Sequence, residues 1–231
     1  MPTLPKPTIM LVTDRHACPP GELPARVAAA VAGGVNVVQL RDKDLPVGEL
    51  LALGQAVKDA IAGRALFLVN DRVDVALALG ADGVHLPQEG VPVSVARAIL
   101  GEDALVGRSV HSEQTARTAA VEGADYLILG PVYETATHPG FTPPGLDVLA
   151  YLFQGIPLVD DEGPIATEGL RREVAETSPV PVIAIGGITP GNAGEVMATG
   201  AVGVAAVSAL LKADNPEQAA RDLVAEVVLQ R

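Results

Sequence analysis

The sequence predicts a single α/β domain, a (β/α)8 TIM barrel over residues 1–231. Three observations carry that expectation. The chain has 231 residues, near the length of one such barrel (about 250). Short apolar runs alternate with longer segments of helical spacing. One phrase also recurs, in VAGGVNVVQL, ALGADGVHL, VEGADYLIL and ATGAVGVAAV: a helix end, a glycine, a tight turn and an apolar strand. Its glycines are Gly34, Gly80, Gly123 and Gly200, and the last gap is nearly twice the others, as if one copy were degenerate.

The candidate strands are Ile9–Thr13, Asn36–Leu40, Ala65–Val69, Gly83–Leu86, Ala104–Val110, Tyr126–Leu129, Val182–Ile185 and Val202–Val207. They are near-continuous Val/Ile/Leu runs, as parallel strands covered on both faces require. The candidate helices are Leu23–Ala32, Val47–Ala62, Asp74–Leu79, Pro92–Leu100, Ser112–Glu122, Thr167–Glu176, Pro190–Thr199 and Pro216–Leu229. Start signals support several: Ser112 before Glu113 and Gln114, Thr189 before Pro190, Asn215 before Pro216. Residues 150–167, with Asp160-Asp161-Glu162, read as an insertion between the sixth strand and the sixth helix. An open doubly wound sheet is the alternative, but eight strands in this length fit closure better.

Composition excludes several classes of function. With 48% apolar and 19% charged residues, disorder is not the main state. The single cysteine, Cys18, forms no internal disulfide, and no Cys-x-x-Cys metal motif exists. A net charge of −12, three Tyr, three Phe and no Trp argue against nucleic acid. An anionic ligand must be held by a local cluster, against the overall field. No charge-free apolar stretch reaches the roughly 18 residues of a membrane span, and no signal-like head opens the chain. The expected setting is cytoplasmic.

Barrel enzymes carry their chemistry just after the C-terminal ends of the strands. Those positions hold Asp14 and Arg15, then Gln39, Arg41, Asp42 and Lys43, then Asn70 and Asp71, then His85, Gln88 and Glu89, then Arg108, Ser109 and His111. His85 stands within an apolar strand, which suits a hydrogen-bonded core histidine as well as a catalytic one. His16 and Cys18 lie in a Pro-rich loop and carry no expected role. Gly186-Gly187 leads to a helix start, and Val207-Ser208 ends the last strand. These are the loops where barrels hold phosphate, and exposed backbone N–H groups there suit an anion. Arg41, Lys43 and Asn70 with Asp71 suit a second anion such as a pyrophosphate, and Asp71 suits Mg²⁺. The residues alone describe a barrel enzyme that joins or rearranges two small phosphorylated molecules.

QLRDK (39–43), VNDRVDVALALGADGVHLPQE (69–89), GRSVHS (107–112), GADYLILGPVYETAT (123–137), PVIAIGGITPGNAGEV (181–196) and GVAAVSAL (203–210) closely resemble the thiamine-phosphate synthase family and its relative, the thiazole tautomerase. The resemblance implies a transferase of thiamine biosynthesis. Such an enzyme couples hydroxymethylpyrimidine pyrophosphate to thiazole phosphate and releases pyrophosphate. It implies that Arg41, Lys43 and Ser109 act on the pyrimidine side, with Gln39 and Asn70 holding that substrate. It implies Asp71 as a Mg²⁺ ligand, and Thr135, Thr137 and His138 on the loop that meets the substrates. Gly187, Val207 and Ser208 become the thiazole phosphate cradle. The resemblance is compatible with a homodimer.

Three departures stand out. The family's second Mg²⁺-binding Asp is Gly90 here, a loop lysine is His138, and the 150–167 stretch is extra. The alternative reading is a thiazole tautomerase-like enzyme or a non-catalytic thiazole-phosphate binding protein. The tautomerase needs no Mg²⁺, but its catalytic histidine falls where this chain has Pro131.

Overall fold

Eight parallel strands close on themselves in the computed structural model, as the alternation predicts. The structure describes residues 2–135 and 180–229, with two antiparallel two-residue strands, Val159–Asp160 and Gly163–Pro164, between them. The first half runs β1 (Thr8–Val12), α1 (Leu23–Ala32), β2 (Val37–Leu40), α2 (Val47–Ile61), β3 (Leu66–Asn70), α3 (Val73–Leu79), β4 (Gly83–Leu86) and α4 (Val93–Leu100). The second runs β5 (Leu105–Val110), α5 (Glu113–Val121), β6 (Tyr126–Leu129), β7 (Val182–Ile185), α6 (Pro190–Ala198), β8 (Gly203–Ala206), α7 (Ser208–Leu211) and α8 (Pro216–Leu229). Each strand pairs with its neighbours in the chain, and β8 closes on β1 with Thr8 opposite Gly203. The helix expected over Thr167–Glu176, and the 150–167 stretch apart from the two short strands, lie outside the described residues.

Side-chain alternation splits the core in two. On β1, Ile9 and Leu11 face outward and pack against the helices, while Met10 and Val12 face the barrel interior with Val37, Leu68, Leu105, Tyr126, Ile128, Ile183 and Ala205. Burying each large aliphatic side chain contributes about 1.5–3 kcal/mol.

The helix-end reading holds: Gly34, Gly80, Gly123 and Gly200 all take positive φ. The start signals hold as well. Ser112 and Thr115 form a reciprocal cap on α5, Thr189 and Asn192 form one on α6, and the Asn215 side chain accepts from Gln218 N at the head of α8. Element boundaries move by a residue or two. Asn36 does not open β2. Its amide accepts from Ile9 N at 2.8 Å and donates to Pro7 O at 2.9 Å, standing in for a ladder partner beside β1. Among the described residues no helix is long and apolar enough to cross a membrane.

Candidate active site

The C-terminal rim of the barrel is polar, and its two sides are built differently. On one side the site grows from β2 and β3. Val37 and Leu68 belong to the barrel interior. Gln39 and Asn70 lie two residues further on, so they share that face one step nearer the mouth. Gln39 is buried and its Nε2 donates to no described residue. Leaving such a donor unpaired costs about 1–3 kcal/mol, so the position calls for an acceptor from water or a ligand.

Past β2, backbone hydrogen bonds hold the extended segment against Thr13, whose Oγ1 accepts from Arg41 N at 2.8 Å. Asp42 is turned away from the mouth. One of its carboxylate oxygens accepts from Asp44 N and Leu45 N, and the other meets Arg15 Nε at 2.6 Å. The local alternative for Arg41 and Lys43, ion pairs with Asp42 or Asp71, is not made. Neither cation has an ion-pair partner among the described residues. Asp71 follows β3 in a left-handed conformation, φ 64°, with its N–H on His85 O at 2.8 Å. A non-glycine residue there is costly, and the conformation is fixed at the point where the chain leaves the sheet.

At the next strands the barrel interior holds a hydrogen-bonded column. His85 is 2% exposed, with Nδ1 3.2 Å from the Tyr126 hydroxyl and Nε2 2.8 Å from Ser109 Oγ. Its ring stacks on Tyr126. Burial, with a smaller contribution from the Arg108 charge, pushes its pKa down to about 3, so the ring is neutral. His85 is thus the hydrogen-bonded core histidine of the sequence reading, set directly beneath Ser109. Arg108, on the other face of β5, donates to Val91 O at 2.6 Å and Gln88 O at 2.7 Å. It ties down the loop after β4 and does not enter the mouth.

The other side is made of backbone. Ile185 pairs with Ala205, so Gly187 and Val207, each two residues past that pair, stand side by side at the rim. Gly186 and Gly187 have φ 102° and 66°. A Cβ at Gly187 would lie 2.6 Å from Tyr133 Cβ. Asn192 holds this turn, donating to Gly187 O at 2.9 Å and accepting from Thr189 N at 2.8 Å. The N–H groups of Gly187, Ile188 and Ser208 make no backbone hydrogen bond among the described residues. Ser208 opens α7, a short helix that sequence reading missed. Thr135 is at the edge of this side; Thr137 and His138 lie outside the described residues.

A Mg²⁺ ion at this rim would need oxygen ligands. Asp71 offers a carboxylate that accepts no hydrogen bond from a described side chain. Glu89 accepts from Gln88 Nε2 at 3.3 Å. Among the described residues no three His, Cys, Asp or Glu side chains cluster as a cage. The set fits an ion that keeps most of its shell as water and substrate oxygens, the usual habit of Mg²⁺.

Comparison with known proteins completes the picture. A family profile described as thiamine monophosphate synthase matches residues 9–210. The thiamine-phosphate synthase of Roseiflexus sp. (strain RS-1) is 40% identical over 221 residues, covering 95% of this chain and 84% of that one. That of Haloquadratum walsbyi is 43% identical over 202 residues, covering 87% and 82%. The solved thiamine phosphate pyrophosphorylase of Pyrococcus furiosus superposes with a TM-score of 0.78 at 33% identity, covering 96% of each chain. None of these favours the tautomerase alternative. With matches that run from the first strand to the last, the chain belongs to the thiamine monophosphate synthase family and is an enzyme of the transferase class.

Proposed function

We propose that the enzyme couples hydroxymethylpyrimidine pyrophosphate to thiazole phosphate and that the two sides of the mouth divide the work. The observation that carries this is what shares one rim: two cations without an ion-pair partner and a buried Gln39 Nε2 without a hydrogen-bond partner among the described residues, and a glycine-lined turn presenting N–H groups. Gln39 and Asn70 hold the pyrimidine. Arg41 and Lys43 neutralise its pyrophosphate. Gly187, Ile188, Val207 and Ser208 seat the thiazole phosphate, and the family resemblance adds Thr135, Thr137 and His138 as substrate contacts.

The bond from the pyrimidine methylene to pyrophosphate breaks, and its electron pair leaves with the pyrophosphate. The thiazole nitrogen lone pair forms the new C–N bond to the resulting cation. Arg41 and Lys43 stabilise the charge that develops on the leaving group, and Ser109 contacts the pyrimidine. Asp71 would hold Mg²⁺, which when bound would supply further neutralisation of that charge. A cytoplasmic setting suits a chain with one cysteine and phosphorylated substrates.

The test is turnover with both substrates, with and without Mg²⁺, beside a thiazole isomerisation assay. Pyrophosphate should be released only when both substrates are present, and Mg²⁺ should accelerate it. Thiazole isomerisation without pyrophosphate release would overturn the reading.

A further inference from the structure

We propose that His85, anchored by Tyr126, is a positioning residue that directs the Ser109 hydroxyl to act as a hydrogen-bond donor toward the barrel mouth. The argument rests on proton bookkeeping along the column. Tyr126 is completely buried in the barrel interior, and its hydroxyl has one partner among the described residues, His85 Nδ1 at 3.2 Å. A buried O–H left without an acceptor is costly, whereas a spare lone pair is tolerated more readily. The phenol therefore donates to Nδ1. A neutral imidazole carries one N–H, so the proton sits on Nε2. Nε2–H then donates to Ser109 Oγ at 2.8 Å. With one lone pair occupied from below, the serine proton is directed away from the histidine.

The column is built rather than incidental. Gly107 lies across from Tyr126 in the strand register, and a Cβ there would fall 2.1 Å from the phenol ring carbon that bears the hydroxyl. Only the bare glycine lets the ring lie flat enough to stack on His85, with the planes 29° apart and the centroids separated by 5.6 Å. The opposite tautomer would leave the Tyr126 proton stranded and make Ser109 spend its own proton on Nε2, offering only lone pairs to the mouth. Under the synthase reading, on which this inference rests, the recognised group is an acceptor atom of the pyrimidine pyrophosphate. Neither Tyr126 nor His85 touches that substrate in this account.

Nitrogen-15 NMR of the histidine-labelled enzyme reads the tautomer directly and independently of activity. The wild type should show His85 protonated at Nε2, and Tyr126→Phe, which leaves Nδ1 only a spare lone pair, should keep that tautomer. In calorimetry, His85→Leu and Ser109→Ala should each weaken the pyrimidine pyrophosphate about tenfold, and the double variant should add less than twofold. Thiazole phosphate affinity should stay within twofold throughout. His85→Gln, whose amide can accept from Tyr126 and donate to Ser109, should keep affinity within threefold, whereas His85→Leu should lose about tenfold. A wild type protonated at Nδ1, or additive losses in the double variant, would overturn the proposal. Wild-type enzyme with the Nε2 tautomer and the binding pattern above but no coupling activity would support it while removing the synthase reading.

Discussion

Under the proposed function, the pyrophosphate side and the phosphate side of the mouth solve one problem, holding an anion on a protein of net charge −12, with different materials. The first uses side chains: Arg41 and Lys43 extend from a segment whose backbone is secured elsewhere, so they are separable from the fold. The second uses the main chain: Gly186 and Gly187 adopt positive φ against Pro131 and Tyr133, so binding and folding share the same atoms. The lesson is that damage on the first side should appear in kinetics alone. On the second side it should appear in stability as well.

The largest effect expected is at Gly187. Valine there meets both a disfavoured φ of 66° and a 2.6 Å approach to Tyr133. Gly187→Val should weaken thiazole phosphate by at least tenfold, about 1.4 kcal/mol, and lower the melting temperature clearly. Calorimetry and thermal melts check both, and a fully stable variant would break the contrast. Next is Arg41→Ala, expected to cut turnover on the order of 100-fold, as the loss of a desolvated charge contact does at about 2–5 kcal/mol, with melting within a few degrees. A collapse in stability with unchanged affinity would make Arg41 structural.

A smaller change is expected from Gly90→Asp, which supplies the carboxylate that the family resemblance implies at this position. The Mg²⁺ concentration for half-maximal turnover should fall several-fold. The gain is offset by crowding, because a Cβ at 90 lies 2.9 Å from Pro87 Cδ and 3.1 Å from Pro87 O, so a modest drop in melting temperature should accompany it. Titrating Mg²⁺ on both proteins decides this, and an unchanged requirement would show that a carboxylate at position 90 does not reach the metal. Smallest is the response to salt. Exposed charges are screened within about 10 Å at 0.1 M salt. Raising salt from about 0.05 to 0.5 M should therefore raise KM for the pyrimidine substrate more than KM for the thiazole phosphate. Equal shifts would erase the distinction between side-chain clamp and backbone cradle.

How much of this could be read from the sequence follows from where each determinant lies along the chain. The barrel was legible because parallel strands are continuous apolar runs and helix ends carry their own glycines and caps. QLRDK, NDR and GGITP were legible because the residues that build each side are local. The column of Tyr126, His85 and Ser109 was not. Tyr126 opens the run YLIL and looks like core, and its partners are separated from it by 41 and 17 residues of chain. Only the register of β4, β5 and β6, with Gly107 vacant opposite the ring, brings them together. The helix Ser208–Leu211 escaped notice because one turn of Ser-Ala-Leu-Leu continues the apolar strand before it. The turn at Asp42 escaped because its neighbours' charges dominate the motif.

That turn has a consequence for how the enzyme competes for a scarce anion. Asp42 sits between Arg41 and Lys43, and its side chain is only 4% exposed because Arg15 and two backbone N–H groups occupy both of its oxygens. Under the proposed function, an approaching pyrimidine pyrophosphate therefore meets two positive charges without the negative one the sequence places between them. Arg15, paired with Asp42, acts as a counterweight. It lets an acidic protein keep a small cationic landing strip, visible to a diffusing polyanion over the last few ångströms of its approach.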